Sequence, residues 1–252
     1  MSLNICRPDD IRDVVRDSFY KKRLIPLFGA GVSVGMEAQA GCVPDGATLR
    51  SDVIKLLCAQ NPEEQDDYAG ESLQSVFGYF DDDEMVSNTA RRAYYKEHFT
   101  DVTLNAVRRK IFDIDWPYIY TLNIDDSIEK NTSFKEVLLC NRKANDEIFN
   151  ERKCVIKLHG DIHDYLKYQG SMKVFSAKEY AESLRNDEYL LEKFKDDCCN
   201  NNIIIIGCSL SNEYDLLTAM NVPFAETREI VKVRKICCTV GNPSKKTDVQ
   251  VS

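Results

Sequence analysis

The sequence predicts an α/β fold: a parallel sheet of about six strands with helices on both faces and a helical insert. Short runs rich in Ile, Val, Leu or Tyr recur along the chain, with helical or loop sequence between them. Continuous apolar strands separated by helices are the pattern of a sheet covered on both sides. Glycine-rich or polar motifs follow four of these runs, where strand-to-helix turns fall. The 252 residues, 43% hydrophobic and 29% charged, suffice for one globular domain over 1–252 that carries a smaller helical unit.

Ile11, Val14, Val15, Ser18 and Phe19 fall at helical spacing after Pro8-Asp9-Asp10 and predict the first helix. Leu24 to Phe28 reads as the first buried strand. Pro26 inside it would cost a central strand a ladder hydrogen bond, so the strand is short, or Pro26 lies at its start or at a bulge. Beyond it, Leu49, Val53, Leu56 and Leu57 make one helix, and stretches near Leu73 to Phe80 and Asp83 to Phe99 make two more. Leu104, Val107, Ile111 and Phe112 make another. Asp81-Asp82-Asp83-Glu84 marks a loop or a helix N-terminus, where negative charge is favourable. Residues 45–100 therefore read as a helical insert beside the sheet, a lid or a substrate wall. Tyr118 to Leu122, Val137 to Cys140, Cys154 to Leu158, Ile203 to Cys208 and Ile236 to Val240 supply the remaining strands. The tail after Gly241 is polar and reads as frayed.

Composition narrows the function classes. A net charge of −8 argues against a sequence-independent nucleic-acid binder. The local patch Arg228, Lys232, Arg234 and Lys235 reads as a solvated helix face or strand edge. No apolar run approaches the roughly 20 residues of a membrane helix, and Met1 to Asp10 lacks the basic-then-apolar pattern of a secretory signal. Several of the ten cysteines, among them Cys154, Cys208, Cys237 and Cys238, sit in strongly apolar segments, as reduced thiols do in a cytoplasmic core. No Cys-x-x-Cys occurs, and the neighbours Cys198-Cys199 and Cys237-Cys238 would point to opposite faces of a strand, which argues against a structural zinc site.

Four motifs carry chemistry. Gly29-Ala30-Gly31-Val32-Ser33 follows a strand, where glycines let backbone approach a pyrophosphate and the next helix offers free N–H groups, as in Rossmann-like units. The third glycine of Gly-x-Gly-x-x-Gly is replaced by Val34, with Gly35 one later, so a plain turn is the alternative. Thr121-Leu122-Asn123-Ile124-Asp125 ends a strand and offers partners for a ribose or carboxamide, or an Asn/Asp turn capping a helix at Ser127 to Lys130. Lys157-Leu158-His159-Gly160-Asp161 ends another strand. His159 suits a general base, and a structural His is the alternative. His163 follows, but His-Gly-Asp-Ile-His is not the His-Glu-x-x-His zinc motif, and Gly160 disfavours the helix it requires. Ile206-Gly207-Cys208-Ser209-Leu210 pairs a glycine with a hydroxyl, for a phosphate or ribose contact or for a tight turn.

Taken in order, these motifs resemble the sirtuin family over about Leu24 to Leu216, and Gly41 with Val43-Pro44-Asp45 looks like its flexible cofactor loop. The resemblance implies NAD⁺ lying over the strand ends. Gly29, Ala30, Gly31 and Ser33 would line the phosphates, with Pro44 and Asp45 in the cofactor loop. Thr121, Asn123 and Asp125 would serve the nicotinamide ribose and carboxamide, Gly207 and Ser209 the adenosine half, and His159 the base. Sirtuin deacylases carry two Cys-x-x-Cys pairs after Leu-His-Gly, whereas residues 160–200 hold only Cys198 and Cys199 here; the Phe-Arg that follows Pro-Asp is replaced by Gly46-Ala47. The chain therefore looks like the zinc-free sirtuin-like domains of prokaryotic antiviral defence proteins, and Phe175-Ser176-x-x-Glu179-Tyr180 fits that branch.

That resemblance implies an NAD⁺ glycohydrolase, with NAD⁺ as substrate and no zinc. It further implies a cytoplasmic homo-oligomer, with no membrane or direct nucleic-acid contact. A C-terminal sensor domain or a partner protein would supply the trigger. Nicotinamide leaves as a neutral molecule from a cationic ring, so its departure needs no proton, and the transition state is oxocarbenium-like as in glycoside cleavage. Two other expectations stand beside it: an NAD-dependent protein deacylase or ADP-ribosyltransferase, and a module that senses NAD⁺ or ADP-ribose without turnover.

Overall fold

The computed structural model describes residues 4–6, 8–139, 148–149, 153–168, 173–176, 178–179, 189–208, 216, 220, 235–238 and 249–251. In chain order the strands are β1 (Asn4–Cys6), β2 (Leu24–Phe28), β3 (Glu37–Ala38), β4 (Gly41–Cys42), β5 (Ile119–Thr121), β6 (Glu136–Leu139), β7 (Cys154–Lys157), β8 (Asn202–Ile206), β9 (Lys235–Cys238) and β10 (Val249–Val251). The helices are α1 (Pro8–Tyr20), α2 (Gly46–Leu57), α3 (Leu73–Phe80), α4 (Asn88–Phe99), α5 (Ala106–Arg109), α6 (Ser127–Asn131), α7 (Ile162–Lys167) and α8 (Tyr189–Asn200).

The main sheet runs β1-β10-β9-β8-β2-β5-β7-β6. From β9 to β6 its six strands are mutually parallel, and β10 and β1 extend the β9 edge antiparallel. This is the Rossmann-like α/β architecture that the apolar runs predict. After β1 at the edge, the parallel strands begin in the middle of the sheet at β2, build one half through β5, β6 and β7, then cross back to β8 on the other flank. The strand order therefore reverses between β2 and β8, where open α/β sheets bind ligands.

Successive strand residues feed two separate cores, as alternation requires. Ile25, Leu27, Tyr120, Ile156, Ile203 and Ile205 pack with Leu190, Leu191, Phe194 and Cys198 of α8. Leu24, Phe28, Ile119, Val155 and Ile206 face the opposite layer, with Phe112, Trp116, Ile128 of α6 and, partly buried, Val15 and Phe19 of α1. Pro26 stands in mid-strand without a bulge, in register with Ile204. The Gly29 N–H bonded to the Ile206 carbonyl puts odd residues of β2 on the β8 side. Pro26 therefore faces β5, whose ladder with β2 begins only at Leu27, so no bond is lost there.

Three elements depart from expectation. Val249–Val251, in the tail read as frayed, pairs with both β9 and β1; two valines flanking Gln250 suffice for a strand once an edge is on offer. A small hairpin of β3 and β4, Glu37 with Cys42 and Ala38 with Gly41, precedes the Val43-Pro44-Asp45 loop. The helix read from Leu104 to Phe112 is one turn, α5, continued as a 3₁₀ turn over Lys110–Phe112. Cys140, Thr239 and Val240, at the ends of two predicted strands, lie outside the described residues, as do Arg228, Lys232 and Arg234.

Residues 46–99 fold into α2, α3 and α4, each capped at its start by a side chain: Asp45 to the Thr48 N–H, Ser72 to Ser75 and Ser87 to Ala90. Their inner faces build a third core of Leu49, Val53, Val76, Phe77, Phe80, Tyr95 and Phe99, joined by Ile124 after β5 and Ile162 of α7. That core consequently sits over the C-terminal tips of the strands. Asp82 to Glu84 lie in the loop before α4, one of the two readings of that acidic run, and Asp81 caps the C-terminus of α3. A carboxylate is unfavourable at that end, and Lys173 Nζ compensates it at 2.8 Å from both oxygens.

Candidate functional site

Register determines which side chains meet. Thr121 pairs with Lys157 in the β5–β7 ladder, so Asn123 and His159, each two residues further on, are carried to matching positions beyond adjacent strand tips. Both are buried, 7% and 4% exposed. They line one cavity of about 480 Å³ between the strand tips and the helical layer, together with Ala30, Gly31, Ser33, Pro44, Asp45, Asp125 and Gly207. That size falls in the usual range for small-molecule sites. Gly29 and Thr121 do not line it: Gly29 lies against Gly207 and Cys208, and Thr121 is fully buried beneath. The Thr121 hydroxyl donates to the Phe28 carbonyl (3.1 Å) and accepts the Asn123 N–H (3.1 Å), fixing the Asn123 backbone. Ser209 lies outside the described residues.

A short hydrogen-bond chain orients the Asn123 amide. Ser33 Oγ donates to Asp125 Oδ2 at 2.6 Å, and Asp125 Oδ1 accepts the Ser127 N–H at 2.9 Å. With its proton committed to the carboxylate, the Ser33 hydroxyl can only accept from Asn123 Nδ2, 3.1 Å away. With its amide nitrogen so engaged, Asn123 lines the cavity with its amide oxygen left as the acceptor. The Asp125 carboxylate works through this chain, with both oxygens bonded to protein groups.

The glycine turns serve backbone approach. The Gly31 N–H donates to the Gly207 carbonyl at 2.8 Å. A Cβ on Gly31 would fall 2.8 Å from the Gly207 Cα, and one on Gly29 would fall 2.5 Å from the Cys208 Cβ. Gly207 has φ +72°, which side-chain-bearing residues rarely adopt. The segment after the turn is a three-residue 3₁₀ helix, Ala30–Val32, rather than a full helix. The N–H groups of Gly29, Gly31, Val32, Ser33 and Val34 are bonded to the carbonyls of Ile206, Gly207, Gly29 and Ala30, so the helix N-terminus expected here is not formed. Arg108 braces the turn from outside, donating to the carbonyls of Val32 (3.0 Å) and Val34 (2.6 Å). The N-terminus facing the cavity is instead that of α2, at Gly46. Its cap, Asp45, is held below the usual carboxylate range by the Thr48 N–H.

Sequence reasoning missed the far wall. Residues 173–176 form a strap: Lys173 bridges Gly160, and the Val174 N–H donates to the His159 carbonyl at 3.1 Å. Val174 and Phe175 line the cavity, and Phe175 stacks on Phe77 of α3 (4.7 Å between centroids, 15°). Lys173 reaches Glu179 Oε1 at 2.9 Å, and the other Glu179 oxygen accepts the N–H groups of Phe175 and Ser176. The available signal was Ser176-x-x-Glu179, a capping box. Behind the strap lies a larger charged hollow of about 640 Å³. Its Arg91 is bound to Asp83 and to the carbonyls of Phe80 and Val86, and its Arg92 to the carbonyls of Tyr165 and Leu166. Those cations hold the fold.

Also unread in the sequence was the role of Lys157. Its ammonium, fully buried, touches Glu129 Oε1 (2.6 Å), Asp161 Oδ2 (2.7 Å) and the carbonyls of Asp125 (2.6 Å) and Ile124 (3.3 Å). Burial alone would lower its pKa; the Glu129 and Asp161 carboxylates overcome that and push it up to about 12. Among the described residues, no three His, Cys, Asp or Glu side chains are grouped to hold a metal ion, and no helix is long and apolar enough to cross a membrane.

A family model described as "SIR2-like domain" matches residues 117–244, just over half of the chain. This span takes in Thr121, Asn123, Asp125, Lys157, His159 and Gly207. No curated protein matches the chain.

Proposed function

Because the chain belongs to the SIR2-like family, which includes NAD-dependent enzymes, we propose that it binds NAD⁺ in the cavity over the strand tips and hydrolyses the nicotinamide–ribose bond. The observation that carries this reading is the pairing of Asn123, its amide nitrogen held by Ser33, with His159 in one buried cavity, beside two glycine turns.

NAD⁺ supplies the leaving group: nicotinamide departs with the electron pair of its bond to the ribose C1′, and the oxygen of one water bonds to that carbon. The water's proton passes to His159, directly or through a ribose hydroxyl. The products are nicotinamide and ADP-ribose, or a cyclised ADP-ribose where water is excluded. The Asn123 carbonyl accepts from the attacking water or from a ribose hydroxyl and so orients it. No Lys or Arg is among the described residues lining the cavity, so the diphosphate meets main-chain N–H groups at the start of α2. Gly31 and Gly207 keep the floor thin. The absence of Cys-x-x-Cys from the whole sequence, and Gly46-Ala47 after Pro44-Asp45, favour hydrolysis over protein deacylation. The resemblance of Lys157 to Asp161 and Phe175 to Tyr180 to zinc-free defence domains supports reading the activity as antiviral NAD⁺ depletion.

The test is nicotinamide release from NAD⁺ by the purified protein. Turnover is expected in the wild type, with losses of ~10²–10⁴-fold in His159→Ala, the range of general-base assistance, and a comparable loss in Asn123→Ala. Undiminished turnover in both variants would reject the assigned roles. Calorimetric binding of NAD⁺ and ADP-ribose by a protein that releases no nicotinamide would identify a sensor instead.

A further inference from the structure

The two groups assigned to the chemistry stand on separate strand extensions, and the last β5–β7 ladder pair, Thr121 with Lys157, lies before either of them. What holds the two extensions together past that point determines the distance between the Asn123 amide and the His159 imidazole. Backbone contributes two bonds there, from the Leu158 N–H to the Thr121 carbonyl at 3.0 Å and from the Ile162 N–H to the Ile124 carbonyl at 2.9 Å. Of the side-chain ties, His163 to Asp126 (3.1 Å) closes the outer end, and the others converge on Lys157. From the end of β7, two residues before His159, its ammonium draws in the carbonyls of Ile124 and Asp125, which directly follow Asn123. The same ammonium holds Asp161, whose other oxygen caps α7 through the Asp164 N–H at 2.9 Å, and Glu129 on α6. Asp125 in turn carries the Ser33 hydroxyl that fixes the Asn123 amide.

The structure assigns Lys157 as a positioning residue for hydrolysis: its buried ammonium clamps the loop bearing Asn123 against the strand bearing His159. Lys157 is absent from the cavity lining, so it acts through those neighbours and not on the substrate. The assignment rests on the glycohydrolase reading. It differs from a generic buried ion pair in one measurable respect: loss of the clamp acts through Asn123 and lowers kcat more than it weakens substrate binding.

The experiment is a double-mutant cycle on the full chain with Lys157→Met, Asn123→Ala and the combination, read as nicotinamide release and, separately, as NAD⁺ affinity by calorimetry. Lys157→Met is expected to lower kcat by on the order of 10²-fold, the effect of an ångström-scale misplacement, with KM changed less than about threefold. Adding it to Asn123→Ala should cost little more, because residues that act as one unit are not additive. Full additivity, or a fall confined to KM, would overturn the assignment. Should Lys157→Met leave two buried carboxylates that prevent folding, Lys157→Met/Glu129→Gln removes one of them and carries the same cycle. A wild type that binds NAD⁺ without releasing nicotinamide overturns the hydrolase reading alone, and the cycle is then scored on affinity, where additivity overturns the clamp. A wild type that does not bind NAD⁺ overturns both.

Discussion

At Gly31 and Gly207 one added carbon would push apart the two turns that meet at the strand-order reversal. Gly31→Ala places a methyl 2.8 Å from the Gly207 Cα, where only backbone can give way. Overpacking of this kind costs roughly 1–3 kcal/mol, so the expected result is a thermal midpoint lower by several degrees, measured calorimetrically, with NAD⁺ binding weakened in the protein that remains folded. An unchanged midpoint would mean that the turns are not in contact. Candidates were legible where they follow a strand: Asn123, Asp125 and His159 each come just after an apolar run, and the structure brings all three to one cavity. Ser33 was legible as a site residue but not as the hydroxyl that turns an amide, since its partners lie 90 and 92 positions away. Lys157 was read as part of a motif. Its function depends on Glu129 and Asp125, 28 and 32 positions upstream, and no local pattern announces such a contact.

Among elements, the strap of residues 173–176 depends most on a single interaction. Lys173 is 6% exposed in its side chain and sits between Asp81 and Glu179. Lys173→Met would strand two partly buried carboxylates, a loss of about 3 kcal/mol or more where burial is complete and less here. Hydrogen exchange is expected to accelerate first at the N–H groups of Val174, Phe175 and Ser176, bonded to His159 and Glu179. Exchange that speeds equally across the central strands would show global unfolding instead. The strands were readable because Ile, Val and Leu runs buried on both faces need no alternation. β1 and β10 were not: three residues each give no period, and they pair with each other from opposite ends of the chain. The helix predicted after Gly31 fails for a local reason, because Gly35, at φ +75°, turns the backbone away within one turn.

Over the whole molecule, His163 and Asp126 join α7, the loop after β5 and the end of the helical layer. Asp126 accepts the N–H groups of Asp101 (2.8 Å) and Val102 (2.9 Å) and meets His163 Nε2 at 3.1 Å. Hydrogen bonding to Asp126 raises the His163 pKa above 6.5. Burial opposes ionisation of Asp126, but His163 and the two backbone N–H groups outweigh it and lower its pKa below 3.8. The imidazolium therefore stabilises the fold fully below about pH 6.5 and loses that contribution as pH rises through its raised value; the carboxylate stabilises above about pH 4 and fails in stronger acid. Since the imidazole is 59% exposed, the pair is worth less than about 1 kcal/mol. The midpoint difference between wild type and His163→Asn should thus be roughly 2 °C at pH 5.5 and vanish by pH 9; a gap that widens with pH contradicts the pairing. The reversal of strand order between β2 and β8 has a consequence in the order of assembly. Chain synthesis delivers Gly29 and Gly31 early and Gly207 only after most of the sheet, so the crevice joins segments with more than half of the chain between them. Such distant pairing is slow to form, and a nascent chain paused before β8 holds Asn123 and His159 but lacks the Gly207 turn that completes the cavity around them.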